Sequence, residues 1–290
     1  MKKFYRPLVL ALLVGFSVSC KKEMVEPKNS PVATGTEDAT ATKDSHLTMG
    51  NPSSAGTSYS NYLVSKSQYV MSYNSYRGTP NWVSWHLSSA WVGSTPRQDD
   101  FRADTSLPSA FYRVTSSDYT GSGFDRGHNC PSADRTLTVT DNSATFLMSN
   151  MIPQASTNNQ QTWAGLENYC RNLINAGNEL YIIMGSYGVG GTGVNGYKET
   201  IAGGKVTVPN RIWKVIVVLP NGTGDAARVT TSTRVIAVNT PNTTSISSTW
   251  GSYRTTVDAI EAATGYNILS NVSSTVQATI EARVDSGPTQ

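Results

Sequence analysis

Three cysteines and three histidines are all that the 290 residues offer as sulfur and imidazole ligands. Their spacing fits no zinc site, which needs closely spaced Cys or His pairs. The apolar run Leu8 to Phe16 is too short to span a membrane, which takes roughly 20 apolar residues, and no other segment could cross one. Excess positive charge is also missing. The formal net charge is +3, but Lys2, Lys3 and Arg6 all precede residue 20 with no acid among them. Without residues 1–19 the chain holds 20 basic groups against 20 acidic ones. That balance excludes a general basic coat for polyanions, so any such binding must come from a local cluster of Arg and Lys. Phosphate-loop and dinucleotide fingerprints are absent too. Gly190-Gly191-Thr192-Gly193 and Gly203-Gly204 lack the residues that would follow them in either motif, and they read as hairpin turns. The chain shows no internal repeats.

What is present begins with an export layout. A basic start (Met1-Lys2-Lys3 to Arg6), the apolar run, small residues Ser17-Val18-Ser19 and then Cys20 read as a signal peptide over 1–19. A small residue directly before Cys20 resembles a bacterial lipobox, which makes Cys20 a lipidation site; an ordinary signal peptide with a chance cysteine is the alternative. The expected location is a membrane-anchored lipoprotein, periplasmic or at the cell surface, and otherwise a secreted protein. Residues 20–57 carry Lys, Glu, Pro, Ser and Thr without apolar periodicity and read as a flexible tether. Residues 58–290 form the folded domain. Lipidation of Cys20 leaves Cys130 and Cys170, an even pair in an oxidising compartment: a disulfide or two buried thiols.

Within that domain, Asn81 to Leu87 alternates and is aromatic, as a strand does. Thr145-Phe146-Leu147-Met148 reads as another, and so does Arg234 to Val238. Leu180 to Met184 and Ile212 to Leu219 are continuous apolar runs that fit buried strands. Over Asn159 to Ala176, Trp163, Leu166, Cys170, Leu173 and Ile174 recur at helical spacing, with Gly177 as the stop. A second helix is expected over roughly Arg254 to Ala263, closed by Gly265. Long strands with few helices predict an α+β domain on a largely antiparallel sheet.

One stretch concentrates reactive groups. Asp125-Arg126-Gly127-His128 is followed by Ser149-Asn150, Pro153-Gln154, and then by a helix that opens on Asn159-Gln160 and continues through Glu167 to Arg171. A His near its ordinary pKa deprotonates water. Arg, or a metal, offsets charge on a phosphate. Mg²⁺ takes oxygen ligands and keeps several waters, so an Asn carbonyl with a Glu two turns on meets its needs. Glu167 and Arg171 are four apart and so neighbours on the helix flank. Each residue also has a plain alternative: Asn159 as a helix cap, Glu167 and Arg171 as a surface pair, Arg126 as structural, Trp163 as core. His46 in the tether and His86 in its strand read as structural.

Together these residues resemble the DNA/RNA non-specific endonucleases, a likeness that runs from about Tyr59 to Val284. Val208-Pro209, Trp213-Lys214-Val215 and Ile260-Glu261 add to it. The resemblance implies a ββα-metal fold with a six-stranded sheet core flanked by helices, acting on DNA and RNA with little sequence preference. It implies His128 as general base, Asn159 as ligand to Mg²⁺ (Mn²⁺ or another divalent cation substituting), and Glu167 holding metal-bound waters. Arg126 and Arg171 would stabilise phosphate charge and Asn150 would support the site. A further substrate-binding arginine is Arg97, with Arg102 competing. Membrane contact would come only through the lipid anchor, and no obligate protein partner is implied. A binding lipoprotein without activity, or a phosphodiesterase acting on another polyanion, are the competing readings.

Overall fold

The computed structural model describes residues 41–290. The signal segment, Cys20 and the first part of the tether lie outside the described residues. The chain runs through β1 (Thr57–Ser58), β2 (Asn61–Ser65), β3 (Val70–Asn74) and β4 (Thr79–Leu87) to β5 (Asp125–His128). Then come α1 (Val139–Ala144), β6 (Met151–Gln154), α2 (Ala164–Asn175) and β7 (Asn178–Tyr187). Two small hairpins follow, β8 (Gly191–Gly193) with β9 (Gly196–Lys198), and β10 (Thr200–Ile201) with β11 (Val206–Thr207). β12 (Arg211–Pro220), α3 (Asp225–Arg228), β13 (Arg234–Pro241), β14 (Arg254–Thr255), α4 (Val257–Thr264) and α5 (Ser274–Ile280) complete it.

One antiparallel sheet holds the order β1-β2-β3-β4-β7-β12-β13-β14. Six of these strands have five or more residues, and the two at the edges have two each. The expected six-stranded core is thus present, with a short strand added at either side. Helices cover both faces. Trp85, Ile182, Met184 and Ile216 point to one face and pack with Trp163, Leu166 and Ile174. Tyr181, Ile183, Val215 and Val217 point to the other and pack with Val257 and Ile260 of α4 and Ile280 of α5. Successive residues of a strand face opposite sides. With both sides covered, most positions must be apolar, which is why β7 and β12 read as apolar runs; the buried charged exceptions, Glu179 and Lys214, each have an ionic partner. Each fully buried Leu, Ile or Phe contributes about 1.5–3 kcal/mol.

The structure departs from the sequence reading in three places. Packed chain starts upstream of residue 58: Met49 is 1% exposed, and Ser84 Oγ donates to the His46 carbonyl. Thr145 to Met148 is a turn, not a strand. Phe146 N–H donates to Ser143 O, continuing the bend that ends α1, and the strand comes later, at β6. Arg254 and Thr255 pair with β13 rather than opening a helix; Thr256 caps α4 by accepting Ala259 N–H at 3.0 Å. Gly265 closes α4 as expected, at φ 74°. Of the two readings left open for Cys130 and Cys170, the structure shows buried free thiols and not a disulfide. Both are core residues of the α2 face, and burial pushes each thiol up to about 12. Among the described residues, no helix is long and apolar enough to cross a membrane.

Candidate active site

β5 and β6 form a two-stranded ribbon outside the main sheet, with Asp125 opposite Gln154 and His128 opposite Met151. A Cβ at Gly127 would stand 2.2 Å from Gln154 Oε1 and 2.6 Å from Gln154 Cβ. Only glycine permits that approach, which accounts for the third residue of the Asp-Arg-Gly-His run. Gln154 donates to Asn158 Oδ1 at 3.1 Å, and Asn158 donates to Thr240 Oγ1 and the Pro241 carbonyl on β13. Those bonds fix the ribbon to the sheet edge. After the ribbon the chain enters a π-helical turn, Asn158–Trp163, that runs straight into α2. Widened turns of this kind frequently mark functional sites. Strand, strand and helix therefore bring His128, Asn159 and Glu167 into one local unit.

His128 is held by rings. Phe101 and Phe146 both meet it edge-on, with centroids 5.6 Å and 5.1 Å away. Each phenyl carries an arginine on its face: Arg126 lies 4.2 Å over Phe101 and Arg97 lies 4.7 Å over Phe146. Nε2 of His128 has no hydrogen-bond partner and no solvent contact. Burial drives the ring's pKa down to about 3, with Arg97 and then Arg126 adding to the fall, while a backbone hydrogen bond to Arg126 opposes it. With that bond taken by the other ring nitrogen, Nε2 is the atom left with an available lone pair. His128 is therefore a neutral acceptor at neutral pH.

A cleft of about 320 Å³ is walled by Arg97, Phe101, Tyr119, Asp125, Arg126 and Asn159; of these, Phe101 meets the His128 ring. Arg126 Nη1 is steadied by Ser116 Oγ at 2.5 Å. Arg97 is steadied by Asp99 at 2.6 Å and Ser132 at 2.8 Å. The geometry separates the two upstream candidates: Arg97 lines the cleft, whereas Arg102 bonds to Asp100 and the Ser143 carbonyl and does not. Asn159 Nδ2 donates to Asp125 Oδ2 at 2.8 Å, and Gln160 donates to the same oxygen at 2.9 Å. With its nitrogen so fixed, the Asn159 carbonyl oxygen is the free end of the amide, and no hydrogen bond occupies it among the described residues. A hard oxygen donor of this kind suits a divalent cation.

Glu167 and Arg171 do not pair with each other. Glu167 Oε1 lies 3.6 Å from Lys214 Nζ, and Arg171 bonds to Asp134 at 2.8 Å and Asn168 at 2.6 Å. Neither lines the cleft; their charged partners are Lys214 and Asp134. Burial pushes the Glu167 carboxyl up, and Lys214 opposes that rise. Lys214 is 1% exposed on β12, under the rings of Trp163 at 4.9 Å and Trp85 at 5.4 Å. Asp134 also accepts from Trp85 Nε1 at 3.0 Å. Asn150 is fully buried and spends its whole amide on backbone, donating to Cys130 O and Thr145 O and accepting from Cys130 N. It positions the loop behind His128 and has no polar atom left for a ligand. The sequence reading gave no site role to Lys214, Asp134, Asp125 or the two phenylalanines. Asp125 and Lys214 had a signal: one opens the reactive run, and the other is a lysine inside an apolar strand, where burial requires a partner.

A second group, Asp44, His86 and Glu179, also clusters. It faces the other side of the sheet, and Arg228 already supplies its positive charge by bonding Glu179. His46 and His86 are structural, with His46 Nδ1 accepting the His86 N–H at 3.1 Å.

A family model for DNA/RNA non-specific endonucleases matches residues 49–275. A nuclease of Nostoc sp. is 47% identical over 281 residues, covering 96% of this chain and 97% of its own. The mitochondrial nuclease EXOG of Xenopus laevis is 32% identical across 68% of this chain and 53% of its own. Among solved structures, the EndoG/EndoGI complex aligns at a TM-score of 0.64 and 26% identity, over 79% of this chain and 91% of that one. With the ribbon, the helix and the run Asp125 to His128 in place, the chain belongs to the DNA/RNA non-specific endonuclease family.

Proposed function

We propose that this enzyme hydrolyses phosphodiester bonds in DNA and RNA with little sequence preference, using His128 as general base. The observation that carries the reading is Nε2 of His128: a buried, unpartnered lone pair on a neutral ring, packed against the two phenylalanines whose faces carry Arg97 and Arg126, the arginines that wall the cleft. A water placed between Nε2 and a phosphate gives its proton to Nε2 as it attacks. Arg97 and Arg126, which wall the cleft, bind the phosphate oxygens and offset the charge that builds on them. Contacts of this kind touch phosphate and not base edges, so they carry no sequence information.

The all-oxygen donors at the head of the helix fit Mg²⁺, with Mn²⁺ able to substitute. Asn159 would hold the ion through its carbonyl oxygen, and Glu167 would hold its waters. When bound, Mg²⁺ supplies positive charge for the phosphate and the leaving oxygen. Asp125 orients the Asn159 amide, and Lys214 keeps a positive charge against Glu167. Arg171 acts through Asp134.

We further propose that the protein is exported and anchored through a lipid on Cys20. Full chain and Cys20→Ser should then part on membrane fractionation, with only the former in the membrane. The enzymatic reading is tested by incubating the protein with plasmid DNA and with RNA, in Mg²⁺ or in EDTA. Cleavage of both substrates in Mg²⁺ and of neither in EDTA is expected. Binding without cleavage in Mg²⁺ would overturn it.

A further inference from the structure

Three carboxylates meet on the face of the sheet away from the cleft. Asp258 and Glu261 stand one turn apart on α4, and Glu281 follows directly on α5. One oxygen from each lies within 4.8 Å of the other two. Among the described residues, none of the three has an ion-pair partner. Like charges so close repel, and a fold gains nothing from collecting them unless something positive or a proton sits among them.

The second observation is Glu281 itself. The residue is 5% exposed, and Oε1 is sealed from solvent with no hydrogen-bond partner. A buried carboxylate oxygen left bare is costly, and native structures rarely keep one without a ligand. The surroundings hold the Glu261 carboxylate and tie the start of α4 to the residue that ends α5. Glu261 spends one oxygen on the Ile268 N–H, which leaves the other free, and Asp258 N–H donates to the Glu281 carbonyl. Asp258 is exposed, so water can complete a coordination shell from that side.

We infer that Asp258, Glu261 and Glu281 form a binding site for a hard divalent cation of the Ca²⁺ type, which fastens the end of α5 to α4. The donor set suits that ion. Ca²⁺ takes carboxylate-rich sites of flexible geometry, whereas Mg²⁺ keeps several waters and takes one or two carboxylates, so three converging carboxylates favour Ca²⁺. The occupant would close the C-terminal helices over the core that Val257, Ile260 and Ile280 share. It is structural and independent of the proposed reaction.

Thermal unfolding of the full chain tests this, in EDTA and in Ca²⁺, for the wild type, Asn159→Ala, Glu281→Gln and Asp258→Asn. Asn159→Ala removes the cleft donor and so reports on this site alone. At about a hundredfold excess over the dissociation constant, Ca²⁺ should raise Tm by about 5 °C in the wild type and in Asn159→Ala. The rise should fall below about 1 °C in Glu281→Gln and Asp258→Asn. Asp258 is exposed, so its variant keeps the test valid if Glu281→Gln folds poorly. The inference is overturned if the wild type gains nothing from Ca²⁺, which would mean a shared proton, or if both carboxylate variants gain as much as the wild type.

Discussion

Lys214 Nζ lies 3.6 Å from Glu167 Oε1, with the lysine side chain 1% exposed. Burial alone would favour a neutral Glu167, and the lysine is the largest influence against that. Removing it as Lys214→Met should push the Glu167 carboxyl further up, so the proton is retained to higher pH. The acid limb of kcat/KM should then move to higher pH than in the wild type. Loss of one partner of a buried pair should also cost about 3 kcal/mol of stability. A pH–rate profile and a urea titration check both, and an unchanged acid limb would count against a working role for Glu167.

Much of this arrangement was legible in the residues, and the reasons differ by element. β7 and β12 announced themselves because a strand covered on both faces needs a largely apolar run. α2 was visible because its buried residues Leu166, Cys170 and Ile174 share one face. β5 has no apolar alternation; Asp125-Arg126-Gly127-His128 carried only chemistry, so the motif was the sole guide to it. Thr145 to Met148 misled because Phe146 is buried for a different reason: its ring packs against His128 and under Arg97. The segment from residue 41 to 57 was hidden by its polar composition, which a few anchors such as Met49 are enough to dock. The partners of Arg171 and Glu167 are contributed by Asp134 and Lys214, distant in sequence, and no spacing rule reaches them.

Asp125 fixes the amide of Asn159 from one side. Residues that orient a metal ligand typically control affinity by about 10–100-fold. Asp125→Ala should raise the Mg²⁺ concentration for half-maximal activity by about that factor, with activity recovered at saturating metal. Titration of Mg²⁺ in the cleavage assay measures this. Equal metal dependence in variant and wild type would remove Asn159 as the ligand.

Arg97 walls the cleft and Arg102 does not. Arg97→Ala should lower kcat by about 100-fold, the usual effect of deleting a donor to developing negative charge. Arg102→Ala should stay within about twofold of the wild type, since surface changes away from a site have small effects. Steady-state cleavage of one defined oligonucleotide compares them, and the reverse ranking would contradict the placement.

Both buried thiols should be reduced and unreactive in the native protein. Alkylation without a reductant should leave Cys130 and Cys170 untouched until denaturant is added, and then modify both. Peptide mass mapping reads the result; a Cys130–Cys170 cross-linked peptide would contradict the free thiols seen in the core.

His128 is lowered to about 3 and His46 to about 4, from an ordinary value of 6.5. Below 6.5 the unfolded chain therefore binds more protons than the folded one, and stability falls as pH drops through that window toward 3. Urea unfolding at pH 7, 5 and 4 should show this decline, shallower in His128→Gln, which has one fewer titrating ring. Identical slopes for the two proteins would mean that His128 is not held neutral by its surroundings.

The most direct measurement is single-turnover cleavage by His128→Ala, with and without added imidazole, beside the wild type at saturating Mg²⁺. A missing general base predicts a rate lower by about 10²–10⁴-fold with substrate binding intact, and partial recovery when imidazole takes the place of the ring. A variant that cleaves at the wild-type rate would contradict the account at its centre.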